Sequence, residues 1–180
     1  MIVDIDLSGV SVLVVDDSRD ARLALRTSLQ SFGIRKISEA GDGPSGIELL
    51  KSAPVTLALV DHDMAPMDGI AFTRFVRRGG LIACSDVAIV MLSAETEKAT
   101  VIAARNAGIN EYLVKPVSAE ALFRRLRNVL LNPRPFVRSG AYVGPCRRIA
   151  YRGIPVPAER RRAPPLPRPN PLVGSSTNRG

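Results

Sequence analysis

Tryptophan is absent from the 180 residues, histidine occurs once, cysteine twice, and aromatic residues make up only 4%. Each scarcity excludes something. The one histidine, His62, falls in a turn at a strand end, not on the exposed bundle helix that a phosphotransfer histidine needs. With the one histidine placed there and no Gly-x-Ser-x-Gly elbow in the chain, a Ser-His-Asp hydrolase is excluded. Cys84 and Cys146 lie far apart in regions of different composition, with no His/Cys cluster at metal-ligand spacing. Reduced thiols are therefore expected, not a disulfide framework. Gly41–Gly46 lacks the Lys-Ser/Thr of a P-loop, and no Gly-x-Gly-x-x-Gly follows the first apolar run. No stretch approaches the ~18–20 apolar residues that span a bilayer. Met1-Ile-Val-Asp-Ile-Asp has neither the positive flank nor the apolar run of a signal peptide. A soluble, cytoplasmic protein is expected.

Hydrophobic residues make up 46% of the chain, enough for a core, and the formal charge is +8. That charge is unevenly placed. Residues 133–180 hold ten arginines, one glutamate and no lysine, a net +9. The first 132 residues carry the other 15 basic and 16 acidic side chains, a net −1. The same terminal stretch holds ten prolines and no sustained period of two or 3.6. It is predicted to be a disordered Pro/Arg-rich tail, unable to bury enough apolar area to offset its ordering entropy. A weak echo, Tyr142-Val-Gly-Pro-Cys-Arg147-Arg148 and then Tyr151-Arg-Gly with Glu159-Arg160-Arg161, is too imperfect for a repeat array.

The first part of the chain alternates. Five short stretches have the length of strands: nearly continuous apolar runs at 10–15, 55–60, 87–92 and 112–114, which read as buried, and a brief, more polar strand at 35–39. Between them lie helical patterns: Leu25, Leu29 and Phe32 after a Ser18 cap, Ile47 and Leu50 before Pro54, Phe72, Phe75 and Val76 before Gly79-Gly80, and a segment from Glu95 to Gly108. A last helix, capped by Ser118, carries Leu122, Leu126, Val129 and Leu130. Arg124, Arg125 and Arg127 on its other side read as a solvated face. Five strands alternating with five helices predict an α/β fold, a doubly wound parallel sheet covered on both faces. Its crevice lies beyond the carboxyl ends of the strands.

The polar residues of note fall at those ends. Asp16 and Asp17 end the first strand, Asp61 the third and Ser93 the fourth, and Lys115 follows the fifth. Three carboxylates in one crevice repel one another and call for a hard divalent cation such as Mg²⁺, which takes oxygen ligands. The lysine is a point charge suited to a phosphate oxygen.

Val14-Val15-Asp16-Asp17-Ser18, Leu59-Val60-Asp61-His62-Asp63-Met64-Ala65-Pro66-Met67-Asp68-Gly69, Met91-Leu92-Ser93-Ala94 and Tyr112-Leu113-Val114-Lys115-Pro116 together resemble the CheY-like receiver domain of bacterial two-component response regulators. The resemblance covers roughly residues 10–131 and implies a receiver domain over 8–132, strand order 2-1-3-4-5 and no catalytic output. It implies that Asp61 accepts a phosphoryl group from a sensor histidine kinase or phosphotransfer protein. Mg²⁺ would be held by Asp16, Asp17, Asp61 and the backbone carbonyl of Asp63. Lys115 would bind phosphate before a cis Pro116, and Ser93 and Tyr112 would act as switch residues toward a downstream protein target. Ala65 between Met64 and Pro66 departs from the family pattern, but the Asp61-to-Asp68 spacing is kept, so a slightly altered loop around an intact site is expected. Asp63 and Glu95 resemble the family's variable flanks. The reading set against this one is a phosphorylation-independent adaptor whose basic tail binds an anionic partner, nucleic acid or membrane surface. Lacking a helix-turn-helix pattern after residue 131, the chain is not a standard DNA-binding regulator.

Overall fold

The computed structural model describes residues 6–79, 85–140 and 142–147. Five parallel strands, β1 (Ser11–Val15), β2 (Lys36–Ala40), β3 (Leu57–Asp61), β4 (Ala88–Ser93) and β5 (Glu111–Val114), form one sheet in the order β2-β1-β3-β4-β5. Helices α1 (Arg19–Ser31), α2 (Gly43–Ser52), α3 (Gly69–Arg78), α4 (Lys98–Ala107) and α5 (Ala119–Leu131) connect and follow the strands. The two-residue period of a strand sends alternate side chains to opposite faces, and two cores result. Leu13, Val15, Ala58, Val60, Ile89 and Met91 face Ile47, Leu50, Phe72, Val76 and Ala104 of α2, α3 and α4. Val12, Val14, Leu57, Leu59, Val90 and Leu92 face Leu25, Leu29, Leu122, Leu126 and Val129 of α1 and α5. Burial on both faces explains why the central strands read as continuous apolar runs.

The helix starts follow from local chemistry. Ser18 and Ser118 accept from the backbone N–H groups of Ala21 and Ala121, and Asp42 and Asp68 cap α2 and α3 in the same way. Only α4 among the described helices starts without a side-chain cap: Glu97 is its N-cap residue and makes no such bond. The left-handed Gly79 and Gly108 terminate α3 and α4.

One boundary needs correction. The tail expected to be disordered from residue 133 contains a hairpin, β6 (Phe136–Ser139) paired antiparallel with β7 (Tyr142–Pro145). Its strands are too short for a period to register. Its footing is polar as well as apolar, which composition alone obscures. Arg77 of α3 is 2% exposed and donates to the carbonyls of Gly108, Ser85 and Val87 and to Asn110 Oδ1. Its guanidinium lies 5.3 Å from the centre of the Phe136 ring. Arg134 donates to the Asn110 carbonyl, Arg138 to Ser85 Oγ, and Arg147 to Asn106 Oδ1. A Cβ at Gly108 would stand 2.8 Å from the Val143 carbonyl oxygen, so glycine there permits both the turn and the docking of β7. The sequence signal that marks the hairpin is Phe136-Val137 and Tyr142-Val143 on either side of Ser139-Gly140. The tail beyond 147, with the second half of the Tyr/Arg echo, and Cys84 lie outside the described residues; Cys146 is a free thiol.

Candidate functional site

The site is assembled by the carboxyl ends of β1, β3, β4 and β5. Asp16 is fully buried just past β1, and its N–H donates to the carbonyl of Ala40 at the end of β2 at 3.2 Å. Its Oδ1 accepts from the Ser18 N–H at 2.9 Å, so the residue that opens α1 also orients this carboxylate. Asp17 is exposed beside it, and Asp61, 5% exposed, ends β3. Carboxylate oxygens of Asp16, Asp17 and Asp61 all lie within 4.8 Å of one another. Lys115 bridges two of them, with Nζ 3.0 Å from Asp16 Oδ2 and 2.9 Å from Asp61 Oδ1. The loop after β3 passes so close that a Cβ at position 69 would fall 2.3 Å from the Asp61 carbonyl oxygen. Gly69 is therefore required where the loop turns into α3.

Burial raises the Asp61 carboxyl above its ordinary range, although the hydrogen bond and charge of Lys115 pull it down. For Lys115 burial works against the ammonium, but hydrogen bonds to Asp61 and Asp16 and their charges outweigh it and raise the lysine. The cluster thus carries more negative charge than one lysine balances, all of it on oxygen. That donor set fits a hard divalent cation.

Ser93, 1% exposed at the end of β4, accepts through Oγ from the Glu95 N–H at 3.0 Å. Tyr112, half-buried on β5, donates its hydroxyl to the Glu95 carbonyl at 2.9 Å. The two side chains therefore grip opposite backbone poles of the same loop residue. The sequence reading placed Glu95 at the rim of the site and did not anticipate this link. Asp63 is exposed in the β3–α3 loop, outside the three-carboxylate cluster. The Lys115–Pro116 bond is cis, as expected, and so is Ala65–Pro66, where the chain departs from the family pattern. Arg22 also reaches the site and was not anticipated: nothing in an amphipathic helix marks one arginine among several.

Residues 12–127 match the response regulator receiver domain. The chain belongs to that family. This receiver is 34% identical over 122 residues to a Campylobacter jejuni chemotaxis protein CheY homolog, covering 67% of this chain and 92% of the relative. Among solved structures, it resembles Vibrio cholerae chemotaxis protein CheY4 with 29% identity and a TM-score of 0.61, over 67% of this chain and 98% of that one. It also resembles the receiver domain of a Pseudomonas aeruginosa sensor histidine kinase, solved with magnesium coordinated in the active site cleft, with 26% identity and a TM-score of 0.60, over 67% and 96%. Against a solved response regulator/GGDEF domain protein (27% identity, TM-score 0.63) it covers 69% of this chain and spans half of the other. The five-stranded order is that of the CheY-like fold, and the acidic cluster is the phosphoacceptor site of a CheY-like receiver.

Proposed function

We propose that this receiver acts as a response regulator, accepting on Asp61 a phosphoryl group from the phosphohistidine of a sensor kinase or phosphotransfer protein. The observation that carries the reading is the convergence of three carboxylates within 4.8 Å with Lys115 bridging Asp16 and Asp61. One Asp61 carboxylate oxygen attacks phosphorus, the phosphorus–nitrogen bond of the donor breaks, and the donor imidazole leaves with the electron pair. The product is an aspartyl phosphate. Asp16, Asp17, Asp61 and the Asp63 carbonyl would hold Mg²⁺, which supplies charge neutralisation for the phosphoryl oxygens when bound. Lys115 then exchanges a carboxylate partner for a phosphate oxygen.

Readout is proposed to run through Glu95. Ser93 Oγ now accepts from the Glu95 N–H; turning its own hydroxyl toward phosphate gives up that contact and frees the loop before α4. Tyr112 holds the other pole of Glu95 and follows the loop. A surface between α4 and β5 is thereby biased toward or away from a protein target, as expected of a bistable element.

Mass spectrometry after incubation with acetyl phosphate and Mg²⁺ tests the chemistry. An adduct of about 80 Da is expected on the wild type, labile to hydroxylamine and missing in Asp61→Ala and without the cation. No adduct on a folded wild type, together with no Mg²⁺ binding, would refute phosphoacceptance and move the weight to the adaptor with a basic tail.

A further inference from the structure

Arg22 stands beside the site without facing the phosphoryl group. From the first turns of α1 its NH1 donates to the carbonyl oxygen of Asp16 at 2.7 Å and to that of Asp17 at 3.3 Å. Its Nε lies 3.5 Å from Glu39 Oε2 on β2, and Arg26, one helical turn on, pairs with the other oxygen of Glu39. The Arg22 side chain is 18% exposed. A cation here is an electrostatic liability for a site that is to take another cation. The ion pair with Glu39 offsets that charge, while the contact directed at the loop goes to its two consecutive peptide carbonyls.

We propose that Arg22 is the positioning residue of the acidic pair, fixing the Asp16 and Asp17 peptide planes so that both carboxylates point into the site; this rests on the metal-site reading above. The need is greatest at Asp17. The Asp16 carboxylate is already held by the Ser18 N–H and Lys115, whereas Asp17 is exposed and its side chain takes its direction from the backbone that Arg22 clamps. Both carbonyl bonds come from NH1 while Nε faces Glu39, so one planar guanidinium holds the loop and the ion pair from two separate nitrogens, which a single ammonium nitrogen does less well. The competing account is an ordinary tie between α1 and β2 through Glu39, and it leaves metal affinity unchanged. A pure charge effect makes the opposite prediction, since removing a positive group then tightens cation binding.

Isothermal titration of the full-length protein with Mg²⁺ separates these by sign. Arg22→Gln is expected to weaken binding about tenfold or more, in the range of other residues that orient metal ligands. Arg22→Lys, which keeps the charge, is expected to lose less but still to bind more weakly than wild type. Thermal denaturation without the cation checks that each variant folds, and if Arg22→Gln does not, Arg22→Lys carries the test. Unchanged or tighter binding in a folded Arg22 variant overturns the proposal. Asp17→Ala distinguishes the two levels: a wild type with no Mg²⁺ binding refutes the metal site and this inference with it. Binding lost in Asp17→Ala but unaltered by the Arg22 variants refutes the positioning role alone.

Discussion

Desolvation penalises the Asp61 carboxylate more than Lys115 relieves it, so the form that attacks phosphorus is held at a cost to the folded chain. The sign of the pH dependence follows. A carboxyl whose folded value is raised contributes stability that is complete below the ordinary carboxylate range and is lost as pH rises through the raised value. Asp61→Asn cannot ionise and avoids that loss. It is expected to melt at a higher temperature than wild type near neutral pH without divalent cation. The advantage should shrink as pH falls below the ordinary carboxylate range, where the wild-type Asp61 is protonated too. Circular-dichroism melts at the two pH values check this; an equal or lower melting temperature for Asp61→Asn at neutral pH would contradict it. Added Mg²⁺ should favour wild type, because a ligand that binds only the folded state stabilises it by mass action.

At the level of elements, the hairpin behaves as part of the domain, because Arg77 needs it and it needs Arg77. The guanidinium is buried against four acceptors, and desolvation pushes its pKa down to about 10, with Tyr142 and Asp86 opposing. It therefore remains charged through the neutral range, and Phe136 covers it. A chain ending at Asn132 loses that cover and the Arg134 and Arg138 contacts. Truncation there is expected to destabilise the domain by about 2 kcal/mol, comparable to losing one large buried side chain. Denaturant unfolding of the truncated and full-length chains measures it, and equal midpoints would show the hairpin to be an appendage. The core elements were legible in the sequence for an equally physical reason: buried strands leave continuous apolar runs, and Ser18 and Ser118 announce their helices. Four-residue strands tied down by arginine side chains leave neither mark.

Topology gathers the functional residues of the whole molecule, which is why most of the candidate site could be read before its geometry. Parallel strands with helices between them bring every strand's carboxyl end to one crevice, so Asp16, Asp61, Ser93 and Lys115 converge once the alternation is recognised. Arg22 and the Glu95 link depend on side-chain direction, which alternation does not encode. Charge is the other property that belongs to the whole chain. Of the ten arginines in residues 133–180, Arg134, Arg138 and Arg147 donate to the folded domain, leaving at most seven to meet a polyanion. Each phosphate neutralised contributes about −0.9 to the slope of log K against log salt on duplex DNA. Binding through the tail alone therefore cannot give a slope steeper than about −6. A chain ending at Arg148 keeps the hairpin and drops from +8 to +3. The adaptor reading requires that titration of fluorescent duplex DNA over a salt series show binding by the full chain within that slope and a loss of it in the shortened chain. Equal affinity in the two would place any anion binding on the receiver itself and remove the tail from the account.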